Sequence, residues 1–432
     1  MSETAKKLFS NTLIVFIGTG VASVFSYLFN MLMGRLLGPE QYGEMAAVLS
    51  VLTIVSVAGS AISIIVMRYS GELYHGEKFD ALNRLIAIFL RFALFLGLIL
   101  FLLGLILSKP ISAFFHIDHL VPVIIGFSSF VFGLLIVVNR GVLQGTQRFS
   151  ELTIANVIEM IVRLLLGLIL VKIGFELNGA MLATVIATIT AFLITMGPIN
   201  DIRQKKQAKS ASGANFRFDK KEMLSYALPT IAVTLFLTAF INIDIILVKH
   251  YFPAEVAGQY SAVATVGKII LYIAAPIITV MFPMISEKKA KGEKHFKIFL
   301  ASLAFTAGIA SLILAVYSVM PYFIVNLLYG ESYAKMANFL PSLGVFVLLY
   351  AMVNLIANYF MAIKNFIFLY FFVGAIIVQI ILIGINHDSI IEVIKILIAT
   401  QGLLFALMFG YYLLTKKQQI VEIFKGNYGE ES

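Results

Sequence analysis

Twelve stretches of about 20 mostly apolar residues run along the chain, each ended by a polar break, and a chain patterned this way can cover its surface only in lipid. The stretches are 11–34, 45–67, 85–108, 120–138, 152–171, 179–199, 223–248, 259–281, 298–319, 340–361, 366–385 and 393–414. Runs such as Leu94–Leu107 are apolar on every face, whereas barrel strands alternate, so the spans read as helices that bond their own backbones. The longest connector, 200–222, is too short to fold into a soluble domain. Composition agrees: 60% of the residues are hydrophobic and 13% charged, against roughly 45–50% and about 25% in soluble domains. The absence of cysteine excludes a disulfide framework, a thiolate nucleophile and a Cys-based metal site. The first run is longer than a secretory apolar core and lacks a small-x-small cleavage pattern after it, so it counts as the first helix.

Lysine and arginine retained on one face set the orientation. With the N-terminus placed in the cytoplasm, 23 of the 32 basic residues fall on inner segments and 5 on outer ones (Arg35, Lys109, Lys172, Lys249 and Lys335). Four more lie inside spans: Arg91, Arg163, Lys268 and Lys395. One span more or fewer would scramble this asymmetry, so both termini are expected in the cytoplasm of a multi-pass cell-membrane protein. Positive-inside retention also accounts for the basic stretch 203–221, and anionic lipid heads are its secondary partner. Nucleic acid is not expected.

Short motifs recur at half the chain length. Pro39-Glu40-Gln41-Tyr42-Gly43 returns as Pro253-Ala254-Glu255-Val256-Ala257-Gly258, and Gly76-Glu77-Lys78 as Gly292-Glu293-Lys294, at offsets of 214 to 216. Six spans per repeat is an even number, so both halves start on the same side and are parallel repeats. The expected architecture is therefore an all-α integral membrane protein with twelve transmembrane helices in two parallel six-helix lobes around a central cleft. Its parts are an N-terminal lobe 1–199, a basic cytoplasmic linker 200–222, a C-terminal lobe 223–414 and a cytoplasmic tail 415–432.

Three of the sequence's features resemble one family. They are the Lys6-Lys7 segment before the first span, Arg35-Leu36-Leu37-Gly38-Pro39-Glu40-x-Tyr42-Gly43 after it, and Gly141-Val142-Leu143-Gln144-Gly145-Thr146-Gln147-Arg148-Phe149 before the fifth. Together with span count and repeat order, they resemble the polysaccharide-transport branch of the multidrug/oligosaccharidyl-lipid/polysaccharide exporter superfamily. The resemblance implies a flippase that moves a polyprenyl-pyrophosphate-linked oligosaccharide from the inner to the outer leaflet. It carries over no catalytic signature, and it leaves the cargo and any driving ion open.

An ionisable group at span depth costs at least about 2.5–3.5 kcal/mol on insertion scales, so it normally faces a cavity or a partner. Glu159 and Arg163 are spaced i, i+4, acid first, roughly 10 and 16 Å from the inner edge of the fifth span. Lys268 lies about 14 Å from the outer edge of the eighth. If Arg163 and Lys268 face one cleft, they set two cations where a pyrophosphate would pass, Arg offering a planar fork and Lys a point charge. The competing reading makes Glu159–Arg163 a self-satisfied pair and lets Lys268 snorkel. Asp244, whose repeat mate is Asn30, is a candidate with Glu159 for binding the H+ or Na+ that would drive transport; a plain hydrogen-bonded helix end is the alternative. Arg91 and Lys395 lie near span ends within reach of an interface, and Arg91 is also a candidate receiver of the entering head group. Asn354 and Asn358 share a face one turn after Tyr350, as sugar contacts or as interhelical hydrogen-bonding groups. Pro229 and Pro276 are expected to kink spans seven and eight. Tyr42, Tyr69, Tyr251, Tyr260, Tyr411 and Tyr412 are expected at the membrane interfaces, and the aromatic content mainly on the lipid-facing surface.

At span depth four cations face two acids, which favours an anionic head group. A cation-coupled multidrug exporter of the same superfamily is the alternative, but organic cations call for an acid-lined cavity. A membrane polysaccharide polymerase fits less well, since such enzymes place residues on sizeable outer loops; the chain is not expected to be an enzyme. His116, His119 and His250 lack a metal-ligand spacing, and no G-x-x-x-x-G-K-[ST] occurs, so neither metal nor ATP is expected. The expected partners are the lipid-linked oligosaccharide, membrane lipids, and glycosyltransferases or a polymerase of the same pathway.

Overall fold

The computed structural model describes residues 3–204 and 220–426, with side chains described for 15–204 and 228–415. Most of the linker and the end of the tail lie outside the described residues. The described residues contain no strand. In chain order the helices are α1 (Glu3–His75), α2 (Phe79–Phe115), α3 (Val121–Gly145), α4 (Phe149–Leu170), α5 (Glu176–Gln204), α6 (Lys220–Phe240), α7 (Ile243–Tyr251) and α8 (Ala254–Gly267). They continue with α9 (Ile269–Ala290), α10 (Phe296–Val319), α11 (Pro321–Tyr329), α12 (Leu340–Ala362), α13 (Leu369–Ile385) and α14 (Ile390–Gly426). Among the described residues, nine helical stretches are long and apolar enough to cross a membrane, and Leu369–Ile385 is a shorter apolar helix.

The twelve expected runs do not map one to one onto these stretches. Val15–His75 and Phe149–Gln204, of 61 and 56 residues, each carry two runs and are far longer than one crossing needs. The first is bent at Gly38, whose φ of 74° is open to glycine and strained for other residues, with Pro39 restarting the helix. The second is bent within a π turn, Val171–Phe175, at Gly174. Runs seven and eight, in contrast, are interrupted. A turn at 241–242 separates α6 from α7, and Lys268 separates α8 from α9. The helices run through Pro229 and Pro276, so the breaks fall elsewhere than at the prolines.

The chain forms two compact units, one of 1–264 with 322–337 and one of 265–321 with 338–432. In the first, α3 packs against α1, α2 and α5, and α4 against α1 and α5. Small residues on α5 (Ala180, Ala183, Ala187 and Ala191) are buried and let the neighbouring helices approach. The repeat motifs meet in this unit. A Cβ on Gly43 would lie 2.8 Å from the Cα and N of Gly258, and one on Gly258 would lie 1.6 Å from the carbonyl oxygen of Pro39. The glycines that mark the repeat are thus the backbone crossing point of the two copies. Tyr42 is buried beside them, its hydroxyl 3.1 Å from that of Tyr329, and Tyr333 donates to the Gly34 carbonyl. Arg35 donates to the carbonyls of Leu327 and Leu328, which close α11.

In the second unit α12 is the central helix, packed on α9, α10 and α14, with α13 on α14. Phe299, Tyr359 and Tyr412 form a buried aromatic knot with ring centroids 4.4 to 5.2 Å apart. Tyr42, Tyr69, Tyr260 and Tyr412 are therefore core rather than interfacial residues: their rings turn inward, where neighbouring rings and polar groups receive them.

Candidate functional site

Three charged residues of the first unit, Arg140, Glu159 and Arg163, gather where α3, α4 and α5 meet. Glu159 is buried, and its two oxygens have different partners. One accepts from an Nη of Arg140 on α3 and the other from the Thr188 hydroxyl at 3.3 Å. Its partner is thus an arginine 19 positions back across a turn, one that the sequence reading placed at the inner edge. Arg163, one turn further along α4, donates to the Thr184 hydroxyl at 3.1 Å and lies 4.2 Å over the Phe29 ring of α1. Thr184 and Thr188 stand one turn apart on α5, so the two helices present a matched polar ladder inside an apolar bundle. The ladder holds two guanidinium groups and one carboxylate.

Asp244 sits in the first turn of α7, just after the break. It is buried and accepts a hydrogen bond from Tyr260 at 2.8 Å. A carboxylate there meets the positive end of a short helix. Asn242, within the break, caps back onto the Thr238 carbonyl. Asn30, the repeat mate of Asp244, does the same to Ser26. Arg91 stands exposed on α2.

Lys268 belongs to the second unit and is half-buried at the α8–α9 break. Asn354 and Asn358 are the half-open positions of an otherwise buried stretch of α12. They are bonded to each other, the Asn358 amide reaching Asn354 Oδ1 at 2.8 Å, while Tyr350 beneath them is buried. Arg163 and Lys268 thus lie in different compact units.

Two charged residues were missed by sequence reasoning. Arg140 is one. Lys249, counted among outer-loop cations, is the other. It is 1% exposed, and the acids in its electrostatic reach are Glu44, then Glu40, then Asp118. A signal existed for Lys249, since it stands 214 positions after Arg35 in the repeat. No metal-holding group of His, Asp or Glu occurs among the described residues.

The model of a family described as "Polysaccharide biosynthesis protein" matches residues 8–289, well over half the chain. The chain belongs to that family. A curated relative, the sporulation protein YkvU of Bacillus subtilis (strain 168), is 26% identical over 293 residues; the match covers 62% of this chain and 63% of YkvU, just under two thirds of that relative's length. Solved structures share the fold. An inward-facing multidrug-resistance transporter of the MATE family, in the MOP superfamily, superposes with a TM-score of 0.73 at 15% identity, covering 92% of this chain and 96% of its own. The lipid II flippase MurJ in an inward closed conformation gives 0.68 at 15% identity over 92% and 87%. An outward-facing conformation of a MATE-family transporter gives 0.65 at 16% identity over 96% of both chains. This family member is a multi-pass membrane protein, free of strands among the described residues, and it shares its fold with those transporters and that flippase.

Proposed function

We propose that the chain is a flippase that moves a polyprenyl-pyrophosphate-linked oligosaccharide from the inner to the outer leaflet by alternating access, for cell-surface polysaccharide synthesis. The observation that carries the reading is the α3–α4–α5 ladder. Two arginines are held inside the helix bundle, and half-buried Arg163 donates to the Thr184 hydroxyl and lies over the Phe29 ring. A guanidinium so held can receive phosphate oxygens, and the low local dielectric strengthens that contact. Membership of a polysaccharide biosynthesis family and a fold shared with a lipid II flippase support the same cargo class.

In this reading the head group enters from the cytoplasmic side past Arg91 and meets Arg163 and Lys268. Asn354 and Asn358 contact the sugars, and the polyprenyl tail stays in lipid. Asp244 and Glu159 are the groups through which H+ or Na+ would couple. The protein resides in the cell membrane with both termini cytoplasmic, works beside glycosyltransferases or a polymerase, and performs no covalent chemistry itself. The fold shared with multidrug transporters supports a second reading, a cation-coupled drug exporter. Deleting the gene separates the two. A lipid-linked sugar accumulating on the inner leaflet supports the flippase; drug sensitivity without such accumulation supports the exporter.

A further inference from the structure

The guanidinium of Arg140 is only half used. Nε–H and the adjacent Nη2 form one edge of the fork, the edge that grips an oxyanion with two parallel hydrogen bonds. Glu159 takes Nη2 with one oxygen and turns its other oxygen to Thr188, so the carboxylate is monodentate. The Arg140 Nε–H is buried and has no hydrogen-bond partner among the described residues. An orphaned donor of this kind costs about 1–3 kcal/mol, and more on a charged group. A bidentate pair would close both bonds of the edge. Exposure points the same way: the Arg140 side chain is 29% open and that of Glu159 only 9%, so the cation is the partner that an incoming group can reach. Arg140 lies five residues before the end of α3, about 8 Å from the turn that the charge asymmetry puts on the cytoplasmic side.

We propose that Arg140 is a further head-group-binding residue, masked by Glu159, and that a phosphate oxyanion of the cargo displaces the carboxylate and takes the Nε/Nη2 edge in bidentate fashion. The inference rests on the flippase reading and adds a receiving group on the inner half of the first unit. Glu159 acts on the site as a competitor. It keeps its Thr188 bond when displaced, and its charge opposes the incoming anion.

The test is titration of inorganic pyrophosphate against the purified full-length chain in lipid nanodiscs at low ionic strength. Glu159→Gln keeps the shape and removes the competing charge; it should bind pyrophosphate about tenfold more tightly than the unaltered chain, as removal of a like charge predicts. Arg140→Gln should bind about tenfold more weakly, and Arg140→Lys, which keeps the charge but loses the fork, should fall between. The double variant should match Arg140→Gln, which shows that Glu159 acts through Arg140. Should Arg140→Gln fold poorly, Glu159→Gln and Arg140→Lys carry the test alone. If Glu159→Gln binds no tighter than the unaltered chain while Arg163→Gln binds less, this proposal is overturned and the flippase reading stands. No pyrophosphate binding by the unaltered chain overturns both.

Discussion

Replacing Gly258 by alanine puts the packing account at risk most sharply. The new Cβ would lie 1.6 Å from the Pro39 carbonyl oxygen and 2.4 Å from its carbon. A relaxed carbon–oxygen contact is about 3.3–3.6 Å, so roughly 1.7 Å must be found by moving backbone against backbone. At Gly43 the nearest atoms, Cα and N of Gly258, are 2.8 Å away, a deficit of roughly 1 Å against ordinary carbon–carbon contact. Overpacking of this sort costs about 1–3 kcal/mol, occasionally more. Gly258→Ala should therefore lose about 3 kcal/mol and Gly43→Ala about 1–2 kcal/mol. Gly308 and Gly374 supply the control, since a Cβ on either meets nothing within 4 Å. Alanine at either should be neutral or gain about 0.5–1 kcal/mol of helix stability. Thermal unfolding of the purified chain in one detergent measures all four. If Gly258→Ala melts at or above the unaltered chain, the contact between the repeats is not the close crossing described above.

Other outcomes follow from the charges. Arg163→Ala and Lys268→Ala should each abolish flipping at normal membrane levels, and Lys268→Arg should restore part of it; radiolabelled cargo and immunoblots read both quantities. Lys249→Ala removes a buried cation whose field acts most strongly on half-buried Glu44 and should destabilise by about 0.5–3 kcal/mol, whereas Lys335→Ala at the exposed Lys335–Glu255 pair should change stability by under about 0.5 kcal/mol. Asp244→Asn keeps the Tyr260 contact but cannot bind a proton, so transport should lose its dependence on the ion gradient while the melting temperature holds. An Asp244→Asn variant with an unchanged gradient response removes that residue from the coupling scheme.

What could be read from the chain beforehand depended on how local the physics is. The apolar runs and the repeat are local patterns, and Gly43 and Gly258 proved to recur for a physical reason, mutual contact. The prolines were read as kinks, and the interruptions of spans seven and eight were not foreseen, because proline is only one cause of a break. The helices absorb Pro229 and Pro276, while the breaks fall beside Asn242 and at Lys268, where polar groups are set at the interruption. The i, i+4 spacing pointed Glu159 at Arg163, yet the acid is held by Arg140 from the preceding helix. Helix packing decides that choice, and no spacing along one helix encodes it. Lys249 and Tyr42 lie at span ends, where sequence cannot separate a side chain reaching for water from one turned into the core.

The most direct test of the account is transbilayer movement of a polyprenyl-pyrophosphate-linked disaccharide in proteoliposomes holding the purified chain. The account predicts movement well above that of empty vesicles, reduced to background by Arg163→Ala and by Lys268→Ala. Movement no faster than in empty vesicles, or undiminished in both variants, contradicts it.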